Sequence, residues 1–357
     1  MAEKKEVMKD NYIATAKAIG IILMVVGHAI SQNYAYRFIY MFHMPLFFFC
    51  SGYFYKVPTS LDGVGLFAKK RIIGLYLPFI KWGILFLLFH NIFCTLNLYD
   101  TKYVYYYESS EFLHRLKSLL LSMTGQEQLL DPFWFLKQLL LSSMLVCVGT
   151  FILKKIKFMY KDILLWSFFF LMAVISKHYK WGLPVIWNLS IMFLSATFVY
   201  MGYLYRRIEK DNYYSVINLV ICFFIIFIIV WVRDDYLDML WYNEYNVFLY
   251  VPTAFIGVFM ILTVSKIIDR WPVKKYLYYI GNHTMIIFVL HLLVFKIGNL
   301  LKIVIYGLPI EKLADYKVIL EHNDCFWFVY VLLGCIIPLL FDYYYRQIGR
   351  KYLGKKK

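Results

Sequence analysis

Residues 11–55 read NYIATAKAIGIILMVVGHAISQNYAYRFIYMFHMPLFFFCSGYFY. Two apolar runs flank a short polar turn, the pattern of two membrane helices. Three ionisable residues, Lys17, His28 and His43, stand where hydrocarbon is expected. Such residues are costly in a bilayer and mark functional sites by default. Lys17 and His28 are eleven residues apart, which returns a helix to about the same face roughly 16 Å further along. Lys17, Ile21, Met24 and His28 therefore form one stripe, with a cation at one end and an imidazole at the other.

The whole chain shares this character. Of its 357 residues 62% are hydrophobic and 21% aromatic, with a mean hydropathy of +0.61. No soluble domain of this length is so apolar. Several runs reach the ~18 apolar residues that span a bilayer, and the alternation of a membrane β-barrel is absent. The fold class is an all-α polytopic membrane protein. The expected spans are roughly 12–30, 38–56, 72–96, 133–153, 162–177, 186–205, 213–232, 247–268, 276–297 and 325–345. Bases gather in every second connection, in both terminal segments among them, so the positive-inside pattern gives about ten spans with both termini cytoplasmic. Residues 1–357 then form a single membrane domain, with a basic cytoplasmic tail at about 346–357. The mixed charges of MAEKKEVMKDN argue for a retained first helix rather than a cleaved leader.

A formal charge of +16 does not point to nucleic acid, because the bases lie in short clusters between apolar spans. They are an orientation signal and a contact for anionic lipid. The six cysteines form no C-x-x-C pair, so neither a disulfide framework nor a metal site is expected.

A basic residue, ten residues and then a histidine on the first helix, followed by Phe42-His43-Met44-Pro45-Leu46-Phe47-Phe48 and Ser51-Gly52-Tyr53, resembles the acyltransferase-3 family. Those are bacterial integral-membrane enzymes that O-acylate cell-surface sugars. The resemblance extends to Pro132-Phe133-Trp134-Phe135-Leu136, to Gly202-Tyr203, and to Ile280-Gly281-Asn282-His283-Thr284 with His291 beyond. It implies His28 as the catalytic residue, with Lys17, His43 and His291 as further catalytic candidates. It also implies acetyl-CoA as donor, a glycan or glycolipid hydroxyl as acceptor, and residence in the bacterial inner membrane. The chemistry suits an imidazole, which titrates near neutrality and can take a hydroxyl proton. Arg71 matches the first half of an Arg-x-x-Arg pattern ahead of Leu75 to Pro78, but Gly74 replaces the second arginine. Lys69 and Lys70 would then share with Arg71 the binding of the donor's phosphates.

The three histidines fall within a turn or two of one level, so His28 is expected to face the bundle interior beside His43 or His291. Lys81, His90 and Lys296 are expected to line a wet cavity, His283 to be a satisfied polar residue, and Ser51 to pack a helix contact. Residues 112–120 read as an amphipathic helix in the outer interface. No phosphate loop, nucleophile elbow or H-E-x-x-H occurs. Two other readings fit the buried ionisables: a transporter or flippase for a glycan precursor, and a succinyl rather than acetyl transferase.

Overall fold

The computed structural model describes residues 11–100, 102, 104–182, 188–233, 235–243, 245–322 and 325–352. The leading segment 1–10, the start of the expected span at 186–187 and the end of the basic tail, 353–357, lie outside them. Among the described residues there is no strand. The helices are α1 (Asn11–Ala29), α2 (Tyr34–Tyr40), α3 (His43–Tyr53), α4 (Leu61–Arg71), α5 (Leu77–Leu88), α6 (His90–Thr95), α7 (Ser109–Ser122) and α8 (Trp134–Leu153). After them come α9 (Lys161–His178), α10 (Leu189–Ile208), α11 (Val216–Val232), α12 (Val247–Ile268), α13 (Lys274–Asn282), α14 (Thr284–Tyr306) and α15 (Trp327–Tyr352).

Helix falls on every expected segment, but among the described residues six stretches are both long and apolar enough to cross a membrane. They are Tyr12–Ala29, Leu61–Leu88, Gln128–Leu153, Val247–Ile268, Thr284–Tyr306 and Trp327–Gly349, with the shorter apolar α11 beside them. α10 falls outside the six for a physical reason. It is buried along almost its whole length against α3, α8 and α9, so Ser190, Ser195 and Thr197 meet protein rather than lipid.

Three expected spans are interrupted or displaced. The 38–56 span breaks at 41–42 because Pro45 has no N–H and its ring excludes the carbonyl of residue 41. The 72–96 span begins earlier and ends at Leu88. Ser60 caps α4, its side chain accepting from Gly63 N at 3.2 Å, so Lys69, Lys70 and Arg71 sit inside a helix rather than in a flanking loop. That helix passes Pro78 through a π turn at Ile72–Tyr76, with Leu77 N reaching back to Ile72 O. The extra residue absorbs what a proline removes. The 276–297 span is two helices meeting at His283, and the second runs on to Tyr306.

The crossing of α3 and α10 gives the Ser51-Gly52-Tyr53 triplet its purpose. A Cβ on Gly52 would lie 1.7 Å from Val199 O, and one on Gly202 2.0 Å from Phe49 O. The two backbones touch, as small residues allow in membrane bundles. Ser51 Oγ accepts from Arg71 at 2.9 Å, and Tyr53 OH donates to Glu209 at 2.6 Å. Glu209 also accepts from Tyr12 at 2.8 Å and Tyr214 at 2.9 Å, with the Lys266 ammonium 3.6 Å away. This clasp ties α1, α3, α10 and α12 together at one end of the bundle.

The long loops cover the other end. His90 organises the first of them and is no cavity residue. Its two ring nitrogens face a carboxylate oxygen of Glu127 at 2.5 Å and the carbonyl of Tyr105 at 2.9 Å. Tyr107 stacks on the ring at 3.4 Å. α7 lays Leu119 against Gly83 of α5. Lys296, another expected cavity residue, instead donates to the carbonyls of Leu313 and Asp315 at 3.0 and 2.7 Å. Lys302 donates to Ile319 O at 3.1 Å. Between them Asn299 Oδ1 accepts from Ile319 N at 3.3 Å and Tyr330 OH at 2.7 Å. Three polar residues at helical spacing on α14 thus hold the 309–319 segment as a strap. Lys81 is exposed, near the rings of Trp82 and Tyr345.

Candidate active site

The stripe on α1 lines a cavity of about 250 Å³. Ile21, Met24 and His28 form one wall, and His43, Met44 and Phe47 of α3 another. The third comes from Pro132, Trp134 and Phe135, and the fourth from Thr284, Met285 and Phe288 of α14. The loops close one end with Asp131, Asp238, Trp241 and Lys317.

His28 and His291 face each other with ring centroids 5.3 Å apart and planes tilted by 31°. Tyr40 stands edge-on to His28 at 6.4 Å and to His43 at 4.6 Å. Backbone carbonyls of their own segments orient two of these rings. At the break at 41–42 the carbonyl of Ile39 accepts from Phe42 N at 3.2 Å and from His43 Nδ1 at 3.0 Å. His291 Nδ1 donates to Ile287 O and Phe288 O at 3.1 and 3.0 Å. In each neutral ring Nε2 is then the acceptor. No hydrogen bond joins His28 to His291. His28 Nδ1 and His291 Nε2 are buried polar atoms without a protein partner. Buried polar groups are rarely left so, and a bound hydroxyl would satisfy them.

The basic candidates lie apart from this cluster. Lys17 is half-buried between α1 and α3, facing Cys50, about 16 Å along α1 from His28. Arg71 turns to Ser51 and lies over the Phe67 ring at 5.0 Å. Lys69 and Lys70 are exposed. None of the four lines the cavity. His283 is satisfied, donating to Tyr279 O at 2.7 Å with Asp342 3.6 Å from its other nitrogen.

Several cavity residues escape a reading of the sequence. Asp131 immediately precedes the Pro132 to Leu136 motif, so its position carried a signal. Tyr36 and Tyr40 lie within the opening stretch, hidden by their aromatic neighbours. Asp238, Trp241 and Lys317 arrive on loops with no local motif. Asp238 Oδ1 accepts from the backbone N–H of Leu240 at 2.7 Å and Trp241 at 2.6 Å. Burial pushes its carboxyl pKa up, and those two donors with Lys177 oppose the rise. Burial lowers the pKa of the Lys317 ammonium, and Asp131 beside it partly offsets the fall.

Comparison with known proteins agrees with the motifs. A family model for acyltransferase 3, described as an acyltransferase domain, matches residues 10–343. No curated protein and no solved structure matches the chain.

Proposed function

The chain belongs to the acyltransferase-3 family, and from that membership we propose a membrane O-acyltransferase that moves an acetyl group from acetyl-CoA to a hydroxyl of a cell-surface or lipid-linked glycan. His28 is the general base. The observation that carries this reading is the His28–His291 pair, His28 on the cavity wall and His291 packed behind it with ring centroids 5.3 Å apart, each with an orphaned nitrogen. The acceptor O–H gives its proton to His28 as its oxygen attacks the thioester carbonyl. The C–O bond forms, the C–S bond breaks, and the leaving thiolate recovers the proton from the imidazolium. His43 and His291, held by backbone carbonyls, keep acceptor nitrogens toward the reacting centre.

In this reading residues 1–357 form one domain with ten crossings, both termini cytoplasmic, in a bacterial inner membrane. The long loops face outward. The donor enters from the opposite end, where Arg71, Lys69 and Lys70 meet its phosphates and Lys17 lies on its path toward His28. Arg71 on Ser51 is positioned by α3, so the donor site and the histidine site share one helix as their ruler.

The test is transfer from radiolabelled acetyl-CoA to envelope glycan by the purified protein in lipid nanodiscs. His28→Ala is expected to insert and elute like the wild type while losing activity by at least ~10²-fold, the lower range for a general base. Activity within a few-fold of wild type would remove His28 from the chemistry. Movement of intact glycan without acylation would make the chain a transporter.

A further inference from the structure

We propose that the loop-covered mouth of the cavity is the acceptor subsite, and that it is built for an uncharged sugar ring. The proposal rests on the acyltransferase reading and adds to it the class of acceptor and the residues that select it.

Trp241 lies at this mouth with 78% of its surface exposed. Its presentation is fixed from below, since Asp238 holds the backbone N–H groups of Leu240 and Trp241 at 2.7 and 2.6 Å. Tyr36 shares the cavity lining and is equally braced. It stacks on Tyr40 at 3.8 Å and meets Tyr236 edge-on at 6.0 Å, and Tyr236 OH donates to Gln32 at 3.1 Å. Rigid aromatic surface beside a concave polar site costs little entropy to bind against. A hexose ring offers what such a surface takes, an apolar C–H face, together with a rim of hydroxyls.

Asp131 and Lys317 supply partners for that rim. A carboxylate accepts from hydroxyls and an ammonium donates to them. Lys317 makes no hydrogen bond or ion pair with a described residue, and it reaches the cavity on the strap that Lys296, Asn299 and Lys302 hold. The position of this cation is therefore built rather than incidental.

Charge then selects among sugars. Among the described residues, and apart from the histidines, Lys317 is the one cationic lining residue, and two carboxylates, Asp131 and Asp238, accompany it. No surplus positive charge remains for a uronic acid or a phosphate. A charged ring would lose its hydration without compensation in a partly buried site. A neutral ring meets no such penalty.

The test uses the full chain in lipid nanodiscs with acetyl-CoA and two sets of soluble acceptors, neutral glucose- and N-acetylglucosamine-based oligosaccharides and matching uronic-acid oligomers. Acetylation of the neutral set alone is expected. Trp241→Ala should raise the acceptor KM about tenfold while the donor KM stays put, the scale of losing one aromatic anchor. Trp241→Phe should recover most of the loss. Lys317→Met should act in the same direction, with partial recovery in Lys317→Arg. An unchanged melting curve for Trp241→Ala confirms that the exposed indole carries no packing. An unmoved acceptor KM in Trp241→Ala makes the indole an interfacial anchor only and overturns the proposal. So does preference for the acidic set, or a wild type that uses no neutral sugar. Transfer surviving in His28→Ala would instead sink the acyltransferase mechanism, leaving the acceptor KM shift standing.

Discussion

Replacing Gly52 by alanine adds one methyl group, and the structure says what it meets. The new Cβ would lie 1.7 Å from the carbonyl oxygen of Val199, 2.6 Å from its carbon and 3.0 Å from its Cα. Non-bonded heavy atoms settle at roughly 3.5 Å, so α3 and α10 must separate by well over an ångström. The obstacle is backbone, so no side chain can rotate away. Overpacking of this kind costs ~1–3 kcal/mol. The shift also strains the Arg71–Ser51 bond and the Tyr53–Glu209 bond, each worth ~1.5–3 kcal/mol as bonds to charged groups. A loss of ~3–5 kcal/mol is expected, read by thermal unfolding of detergent-purified protein and by the fraction eluting as a single species. The same substitution at Gly74 is the control, since a Cβ there meets nothing within 4 Å. Gly74→Ala should be neutral or stabilise by up to ~1 kcal/mol through the lost freedom of the unfolded glycine. A Gly52→Ala protein melting within about 2 °C of wild type would refute the backbone contact and the close α3–α10 crossing with it.

Two further expectations concern the loops. Lys296→Met removes the donor to Leu313 O and Asp315 O, leaving both carbonyls unpaired at a local cost of ~1–3 kcal/mol; hydrogen exchange should quicken at 310–319 and stay unchanged in α12, and equal protection in both proteins would deny the strap its anchor. Asp238→Asn tests linkage: burial raises the carboxyl pKa, so the folded state binds the proton more tightly than the unfolded one, and wild-type stability should fall as pH rises from the ordinary carboxylate range through the raised value. Asparagine keeps an acceptor for Leu240 and Trp241 but does not ionise, so that downward slope should vanish in the variant; an identical pH profile for both would mean the carboxyl titrates normally.

The sequence foretold one face of the site and little of its mouth. Helical periodicity alone places Ile21, Met24 and His28 on one wall, because those residues belong to a single uninterrupted helix. The approach of His291 was also legible, since spans of similar length set their histidines at similar depth. The causes of the interruptions stand in the chain at Pro45, Pro78 and Ser60, but hydropathy averages over them. The breaks at 41–42 and His283 reorganise backbone carbonyls, which no hydropathy pattern reports. Lys317 had no signal whatever. It reaches the cavity because Lys296, Asn299 and Lys302 grip a strap distant in sequence, and buried lysines read from composition look like pore residues rather than staples. Asp131 adjoins the Pro132 to Leu136 motif, yet a lone acid before a proline usually signals no more than a helix start.

The distribution of these constraints decides which part of the site is rigid. α1 is gripped on two sides. Tyr12 is held in the Glu209 clasp, while sixteen residues on, at roughly 100° each, His28 points to nearly the opposite face and into the cavity. Between them Gly281 of α13 comes so close to Ala14 that an added Cβ would lie 1.9 Å from its carbonyl oxygen. A rotation of α1 by a single residue would break the clasp, collide with α13 and swing His28 about 100° away from His291. These contacts fix the imidazole on α1, the preorganisation that the proposed proton transfer requires. The mouth is held through Asp238, the strap gripped by Lys296, Asn299 and Lys302 of α14, and the His90–Glu127 pair. Under the proposed function, acceptor exchange would be a local movement of these loops, while the clasp and α13 keep His28 aligned.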